Sequence, residues 1–492
     1  MASLKEITTM CKAGQTQQAY ELCKADMEMQ LPWAQREMGW ALYYLIKDDT
    51  DRVNYQLIVS HLDELRALDK LSVEEDNVLF EQVLFKVAEF VKSHVSPTGF
   101  DSPVKLSALF SKLRGYSFPE SKAFSFLLQS FIRCDSWQEM ADFIDWWNLD
   151  KLTLEDYTPY KTDNGRTIMS VAERAFIAKA KALLRMNDLG RIEEFLPQMD
   201  ELVENHPEMT YPGYFYGKLL LSLGSTPDEA LKVIVPFARK KASEFWVWQL
   251  LSDVFINEPD KQLACLLRAV HCRTQENFLG KVRIKLATLY IQRNMLDYAK
   301  FQIDKVSQCY LSQGWRLPYE VDCWIHQPWI NTVTSNNRIP LDYMSISKEI
   351  LCEGTEEMTA VVTYIDQNTR KATLIYGHQK RMTQELRFKV TLGMVLKINY
   401  ITEADGHLRV LSSKKVVLAH NLDFAKVVEG TVRKRDDKDF AFLKTDMGDY
   451  FISPVVVRRY NIQDGMTVKS LVVYDYNRKK ENWDWTCVSV NK

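Results

Sequence analysis

The chain has 492 residues, of which 46% are apolar and 26% are charged, and its formal net charge is −2. This composition excludes a wholly disordered chain, and the near-neutral charge excludes a uniformly basic nucleic-acid coat. The charge is uneven, however: residues 350–492 carry 23 Lys and Arg against 18 Asp and Glu, whereas the rest of the chain is net acidic. We therefore expect two kinds of surface.

Apolar runs are short along the whole sequence. The best one surrounds Leu219 and is interrupted by Lys218 and Ser222, well short of the roughly 20 residues that cross a bilayer. The first residues include no apolar segment typical of a secretory signal, and the nine cysteines include no CxxC pair. We expect a cytoplasmic protein with reduced thiols and no membrane partner.

The first two-thirds of the chain has the apolar spacing of amphipathic helices. The spacing is clear in residues 35–46 and 281–292, and turn signals separate short segments of this kind. Short helices with short connections predict antiparallel helix pairs.

A repeat is visible between about residues 211 and 308. One segment has the W-x2-L-G-x2-Y spacing of a tetratricopeptide first helix, in Trp248, Leu251, Ser252 and Phe255. In the same phase, alanines stand at three positions where a small residue lets the second helix of a pair approach the first: Ala230, Ala264 and Ala299. This part resembles the tetratricopeptide-repeat family, whereas residues 101–166 depart from the period.

The resemblance implies a helical solenoid that binds a protein partner in a groove. Candidate polar residues of that groove are Asn187, Arg191, Lys218 and Arg283. The alternative for the same residues is a packed scaffold without such a ligand.

The chain changes character near residue 331. Aromatic and proline residues in 314–330 are expected to close the exposed end of the solenoid, and 331–344 is interpreted as a linker. Beyond it the apolar period falls to two, which predicts strands at 360–365, 372–376, 395–400, 408–411, 428–433, 440–444, 449–452, 468–474 and 485–490. We predict a multidomain α + β protein with an α-helical, tetratricopeptide-like solenoid in 1–330 and two small antiparallel β-barrels, OB-like in 345–420 and cold-shock-like in 421–492.

The C-terminal barrel contains the most specific pattern. Phe440 and Phe442 alternate on one predicted strand, and Phe451 lies on the next. Because Leu443 and Ile452 are the better core residues of these strands, the three rings are predicted to face solvent and to stack nucleobases. The alternative is that the phenylalanines form the barrel core.

Residues 428–490 resemble a cold-shock domain, and most nearly the RNA-binding domain of the transcription terminator Rho. The resemblance rests on 430–432, 440–444, 449–454, 458–462 and 464–468, which occur in this order. It implies that the three phenylalanines stack bases, that Lys444 contacts a phosphate or a base edge, and that Asp449 accepts a hydrogen bond from a base. Arg433 and Arg458 are candidates for the phosphates. Rho completes a pyrimidine pocket with Glu-Arg-Tyr where this chain has Asn-Trp-Asp, so no cytosine preference is implied and Trp483 or its neighbour Trp485 is a substitute stacking residue.

The preceding barrel aligns poorly with this pattern. It has Ala372 and Leu374 at the stacking positions, which predicts a barrel that has lost its stacking face and packs against its neighbours. The alternative is one binding track across both barrels, extended by Tyr376, His378, Lys380 and Arg381.

Signals for catalysis or metal binding are weak. The sequence has no HExxH, no Cys/His cluster with zinc spacing, no GxxxxGK[ST] and no GxSxG, and we interpret His271 and Cys272 as packed helix residues. We expect no enzyme activity, no cofactor and no metal; an enzyme with a cryptic site is a further alternative.

The sequence thus predicts a non-enzymatic adaptor. We expect the C-terminal barrel to bind single-stranded RNA or DNA, with RNA favoured, and the helical repeats to bind a protein partner, within a nucleic-acid-processing or defence assembly. A pure protein-interaction scaffold with structural barrels is the alternative.

Overall fold

The computed structural model describes residues 3–31, 33–339, 341–366, 368–369, 371–385, 389–403, 406–477 and 480–491. The N-terminal part of the chain is mainly helical and the C-terminal part is mainly strands. The helices are α1 (Leu4–Lys12), α2 (Thr16–Glu28), α3 (Ala34–Asp51), α4 (Tyr55–Arg66), α5 (Asn77–His94), α6 (Ser102–Leu113), α7 (Lys122–Phe131), α8 (Met140–Trp147), α9 (Val171–Met186), α10 (Leu189–Asn205), α11 (Pro212–Ser222), α12 (Pro227–Lys240), α13 (Phe245–Val254), α14 (Pro259–Val270), α15 (Gly280–Gln292), α16 (Leu296–Ser312), α17 (Tyr319–Ile325), α18 (Leu341–Cys352) and α19 (Pro454–Tyr460).

All nine predicted strands are present. The strands are β1 (Tyr160–Lys161), β2 (Thr167–Ile168), β3 (Glu356–Ile365), β4 (Lys371–Gly377), β5 (Lys380–Glu385), β6 (Val395–Thr402), β7 (Leu408–Val416), β8 (Ala425–Arg433), β9 (Ala441–Thr445), β10 (Gly448–Ile452), β11 (Thr467–Asn477) and β12 (Asn482–Asn491). The two-residue strands β1 and β2 and the edge strand β5 were not predicted. Strand β5 was missed because a polar edge strand has little apolar alternation to reveal it.

Contacts divide the chain into two compact units. The first is residues 1–262 with 272–282, and the second is 263–271 with 283–492. The division therefore falls within α14 and α15, not at the segment 331–344 that we interpret as a linker. Among the described residues, none of the helices has the length and apolarity required to span a bilayer.

In the first unit, helices α1 to α13 each pack against a helix one or two places away along the chain. The odd-numbered helices α3, α5, α7, α9, α11 and α13 contact one another in succession, and α2, α4, α10 and α12 pack beside them. Gly217 on α11 faces Ile234 on α12 so closely that a Cβ atom would overlap the isoleucine side chain. Ala230, on the same α12, is fully buried. A small residue at this helix pair therefore permits close packing.

Capping explains where individual helices begin. At α12 the Thr226 hydroxyl accepts from the Glu229 backbone N–H, and the Glu229 carboxylate accepts from the Thr226 backbone N–H at 2.9 Å. This reciprocal pair satisfies N–H groups that have no partner within the helix. Pro227 occupies the first helical position, where a missing N–H costs nothing.

In the second unit, the aromatic segment 314–330 folds onto α15 and α16. Val321 and Ile330 join a buried cluster with Ala287, and Trp324 and Trp329 pack against it. The segment that follows is fastened to α16, because the Lys300 ammonium donates to the carbonyl oxygens of Ile330 and Val333 at 2.6 and 2.9 Å, and Asn336 donates to Asp297. The described part of 331–344 is therefore attached to the helical region at its start and helical at its end.

The first β region is a five-stranded antiparallel sheet with strand order β5-β4-β3-β6-β7. One face carries its own core of six fully buried side chains: Ala360, Val362, Ala372, Leu374, Leu396 and Ile398. Among the described residues, β5 and β7 do not pair with each other. This sheet is thus open there, where we predicted a barrel.

The second β region is a closed five-stranded barrel with the order β10-β12-β11-β8-β9. Four pairings are antiparallel, and β10 pairs with β12 in parallel. Such a five-stranded Greek-key barrel is the OB type. Helix α19 connects β10 to β11, and it contributes Val456 and Val457 to the barrel core.

The sheet and the barrel share a buried apolar cluster. Val361, Ile375 and Val395, on the sheet face opposite its own core, join Val473 and Val488 of the barrel. Strands β11 and β12, together with Phe424 and the first residue of β8, Ala425, supply the barrel side of this contact. The cluster thus leaves the outer side of β9 and β10 uncovered.

Candidate nucleic-acid interface

Strict alternation along β9 separates a buried side from an exposed side. Ala441 and Leu443 are 1% and 0% exposed and belong to the barrel core, whereas Phe442 between them is 39% exposed. On β10, Tyr450 and Ile452 are buried in the same core. The alternative in which the phenylalanines form the core is therefore wrong.

Three phenylalanine rings form one cluster on the outer side of this hairpin. Phe442 and Phe451 are directly opposed residues of β9 and β10, and Phe440 immediately precedes β9. The ring centroids are 5.9 Å apart for Phe440–Phe442, 5.7 Å for Phe440–Phe451 and 5.8 Å for Phe442–Phe451. The rings are tilted or edge-on to one another, the arrangement that their quadrupoles favour. We call these three residues the phenylalanine platform.

A second row of side chains lies next to the platform. Lys444 and Asp449 are opposed across β9 and β10, two residues from the Phe442–Phe451 pair, so they share its face. They form a salt bridge in which the side chains remain 50% and 49% exposed. An exposed pair of this kind stabilises the fold by at most about 1 kcal/mol. Both charged groups are therefore accessible to a ligand at little cost.

Strand β8 extends both rows. Arg433 is opposed to Phe442, and Thr431 is opposed to Lys444. One row thus reads Arg433, Phe442, Phe451, and the other reads Thr431, Lys444, Asp449. Sequence analysis missed Thr431, because only the register of β8 against β9 places it there.

A glycine on β8 permits this register. A Cβ atom on Gly430 would overlap the backbone carbonyl oxygen of Lys444 and would also lie 2.7 Å from a Thr445 side-chain carbon. Strand β8 therefore crosses β9 at a distance that only glycine allows.

Further basic residues lie near the ends of these strands. Arg433 and Arg435 are exposed. Arg458 is exposed in the last turn of α19, with its Nε donating to the Pro454 carbonyl oxygen at 3.3 Å. Arg459, beside it, lies over the Tyr460 ring. These guanidinium groups are available for phosphate contacts.

Trp483 lies apart from the platform. Thr486 is the β12 residue opposed to Phe451, and Trp483 and Trp485 have the other parity along β12 and point to the other face. Trp483 stacks on Tyr474 with centroids 6.0 Å apart, and Trp485 contacts Tyr474 and packs on the barrel core. The structure therefore does not place Trp483 in the surface that holds the other predicted ring residues.

The first sheet has no exposed stacking face at the predicted positions. Ala372 and Leu374 point into its own core, and Ile375 packs on the barrel. His378 stacks on Tyr474 with centroids 4.7 Å apart. Arg381 lies 4.9 Å from the Tyr476 ring centroid, and Tyr376 packs against the sheet core. Three of the four residues proposed as a shared track thus contact a ring or the sheet core, and His378, Lys380 and Arg381 are exposed.

The candidate groove residues of the helical region have structural contacts. Arg191 forms salt bridges with Asp142 and Asp145 at 2.9 and 2.7 Å. Arg283 is buried and donates to the Gln302 amide oxygen at 2.6 Å. Asn187 is the left-handed residue that ends α9. Arg191 and Arg283 thus each join two helices.

The described residues show no further grouping of side chains suited to bind a metal ion. Among the described residues, no three His, Cys, Asp or Glu side chains gather closely enough to hold a metal ion. His271 has its Nδ1 2.8 Å from the Leu267 carbonyl oxygen of its own helix.

Burial raises the pKa of the Glu173 carboxyl, which accepts from the backbone N–H groups of Thr210 and Tyr211 at 3.2 and 3.1 Å.

Two family models match parts of the chain. Residues 210–349 match a domain of unknown function, DUF7017, and this span includes the segment that we interpret as a linker. No curated protein matches the chain. Residues 426–490 match S1/CSD-like domain 2 of the TOTE conflict systems, a span that contains all eight predicted site residues. The closed barrel is therefore similar to S1 and cold-shock domains, and this similarity suggests a capacity to bind nucleic acid.

Proposed function

We propose that the chain is a non-enzymatic adaptor whose C-terminal barrel binds single-stranded RNA in preference to DNA. The observation that carries the proposal is the phenylalanine platform, in which Phe442 is exposed and Phe440 and Phe451 are half-buried, outside a core that buries Leu443 and Ile452. Stacking on an aromatic side chain contributes about 1–3 kcal/mol per base, so two or three rings hold a short strand at useful affinity. The match to an S1/CSD-like domain supports the same conclusion. The preference for RNA rests on the resemblance to the RNA-binding domain of Rho.

Cations near the platform account for the phosphate contacts. If Arg433, Arg435 and Arg458 neutralise three phosphates, the logarithm of the binding constant falls with the logarithm of salt concentration with a slope of about −2. Affinity then falls roughly 20-fold between 50 and 200 mM salt.

The test is fluorescence anisotropy with the full chain and labelled 12-nucleotide single strands. We expect RNA to bind more tightly than DNA of the same sequence, and a duplex to bind weakly. The triple variant Phe440→Ala, Phe442→Ala, Phe451→Ala should lose most of the affinity. Phe100→Ala removes an exposed ring from the helical region and is the matched control. Equal binding by the triple variant and the control would refute the proposal.

The adaptor role requires a second partner on the helical region. The succession of neighbouring helix contacts supports this part of the proposal, since stacked helix pairs present extended surfaces to proteins. Cross-linking of the full chain in its native cells should give protein cross-links that map to residues before 340. Cross-links confined to the barrel would argue against a partner there. We also propose that the chain belongs to a nucleic-acid-processing or defence assembly. In that assembly another chain catalyses the reaction.

A purely protein-binding scaffold is the second candidate. The packing of His378 and Arg381 on barrel tyrosines favours it for the first sheet, since these side chains hold the two β regions together. Under this alternative no oligonucleotide binds the full chain at low salt.

A further inference from the structure

We propose that helices α5, α7 and α9 form a docking site for a carboxylate-bearing segment of the partner protein. This inference rests on the proposed adaptor role and names the chemistry of the partner that the helical region binds. It follows from a cavity with apolar walls and from three cations beside it that have no counter-charge.

The cavity lies between α7 and the beginning of α9. Its volume is about 780 Å³, within the range of ligand-binding pockets. Apolar side chains from both helices and from the connection before α9 contribute to its walls: Phe126, Leu152, Leu154 and Val171. Leu154 is 90% exposed, so this wall has an apolar surface that the fold leaves uncovered. The cavity therefore accommodates an apolar side chain of a peptide.

Three cations lie next to this cavity. The Lys92 ammonium is 5.0 Å from the centroid of the Phe126 ring, and the Lys92 carbonyl oxygen accepts from Arg133 Nη1 at 2.5 Å. Arg174 lies one turn after Val171 on α9, so these two side chains share a face of that helix. We call Lys92, Arg133 and Arg174 the cationic cluster.

The cationic cluster has no counter-charge of its own. In the part of the chain that the structure describes, no carboxylate forms a salt bridge with any of its members. The acidic residues that are near in sequence are paired with other lysines, Glu89 with Lys86 at 2.6 Å and Asp135 with Lys181 at 2.8 Å. An anion that binds at the cluster therefore breaks no existing pair.

Arg174 is the member whose charge the fold compensates least. Its Nε and Nη2 atoms are buried without a hydrogen-bond partner among the described residues. Burial lowers the pKa of this guanidinium; Tyr160 raises it and the neighbouring charge of Arg133 lowers it further. Lys92 and Arg133 are exposed and contact the bound carboxylate, and its negative charge then stabilises Arg174 as well.

The surroundings favour a peptide over a nucleic acid. At the N-terminal end of α7 the cavity is lined by Glu120 and by the Lys122–Glu155 pair, whose charged groups are 3.6 Å apart, so uncompensated positive charge is confined to the other end. A chain of phosphates would be repelled by the net acidic residues 1–349. A single carboxylate beside an apolar side chain matches both the cationic cluster and the cavity.

The experiment selects phage-displayed random dodecapeptides on the immobilised full chain. We expect the enriched peptides to carry Asp or Glu close to a large apolar residue. One enriched peptide, synthesised with a fluorescent label, is then compared by anisotropy with a version in which amides replace its carboxylates. The amide version should bind at least about tenfold more weakly, because hydrogen bonds between charged groups are the stronger ones. Enrichment of neutral or basic peptides, or of none, would overturn the inference.

Charge reversal tests the residues themselves. Arg133→Glu places a carboxylate beside Arg174, so it should abolish binding of the acidic peptide and leave the melting temperature equal to that of wild type or higher. Lys92→Gln removes one exposed cation and should weaken the peptide several-fold. Arg52→Glu makes the same reversal at an exposed position after α3 and should bind the peptide as wild type does. A lower melting temperature of Arg133→Glu, or peptide binding as tight as that of wild type, would overturn the inference.

RNA binding separates this inference from the rest of the proposed function. Arg133→Glu leaves the phenylalanine platform unchanged and should bind the 12-nucleotide RNA as wild type does. If it loses RNA affinity, the cationic cluster binds phosphates and the inference is overturned. If the peptide selection fails while protein cross-links still map to residues before 340, only this inference falls. If those cross-links are absent too, the adaptor role falls with it.

Discussion

The substitution Phe442→Ala separates a ligand-binding ring from a core ring. Phe442 lies outside the barrel core, and its ring contacts are with Phe440 and Phe451 on the surface. Aromatic pairs contribute about 0.5–1.5 kcal/mol each, and exposure places these at the low end, so we expect a loss of about 1 kcal/mol of folding stability. The matched variant Leu443→Ala empties a fully buried site and should cost about 2–5 kcal/mol.

The effect of Phe442→Ala on nucleic-acid affinity should be large, in contrast to its small effect on stability. Loss of one stacking ring removes about 1–3 kcal/mol, which is roughly 5- to 150-fold in the dissociation constant. The assays are fluorescence anisotropy with a single-stranded 12-mer and calorimetric melting of the full chain. We expect Phe442→Ala to melt near the wild-type temperature while binding weakly, and Leu443→Ala to melt clearly lower. The reasoning fails if Phe442→Ala destabilises the barrel as much as Leu443→Ala, or if it binds as the wild type does.

Four further outcomes follow from the packing. Gly430→Ala should lower the barrel melting temperature, because the added carbon overlaps a backbone oxygen of the next strand; an unchanged melting curve would contradict this. Trp483→Ala should change the melting temperature and leave RNA affinity within about twofold of wild type, because Trp483 packs on Tyr474 and does not lie on the platform. A large loss of affinity would indicate that Trp483 stacks on a base. Glu173→Gln should gain stability relative to wild type as pH rises from 5 to 7 in calorimetric scans. Because burial raises the pKa of the Glu173 carboxyl in the folded protein, the protonated carboxyl contributes folding stability at low pH. This stability is lost as the carboxyl ionises. Glu173→Ala leaves the Thr210 and Tyr211 N–H groups without an acceptor and should cost about 1–3 kcal/mol at both pH values.

Much of the β region was predictable because period-two alternation fixes which residues share a face. In β9 the rule separated Leu443 from Phe442 correctly, since only one side of that strand is buried. The same rule failed on β4. Leu374 packs in the sheet core and Ile375 packs on the barrel, so both faces are apolar and alternation carries no information.

Cross-strand register could not be predicted from the sequence. Trp483 lies where the resemblance places Rho's Glu-Arg-Tyr run, but the parallel pairing of β10 with β12 opposes Thr486, not a tryptophan, to Phe451. That pairing joins strands separated by a helix and a long antiparallel strand, and local patterns do not determine it. The role of the polar residues Arg191 and Arg283 could not be predicted for a related reason, since spacing does not distinguish a ligand-binding cation from one that joins two helices, as both do here.

The apolar cluster between sheet and barrel has a practical consequence for dissecting the protein. A fragment containing only residues 421–492 would expose Leu471, Val473 and Val488, which are buried in the whole chain. A contiguous patch of that kind promotes self-association, and exposed aromatic rings on the other side of the same fragment would add to it. The smallest soluble fragment that binds nucleic acid is therefore expected to begin before β3. Weak or variable binding by a shorter fragment would result from loss of the sheet that buries this apolar surface, and not from loss of the binding site.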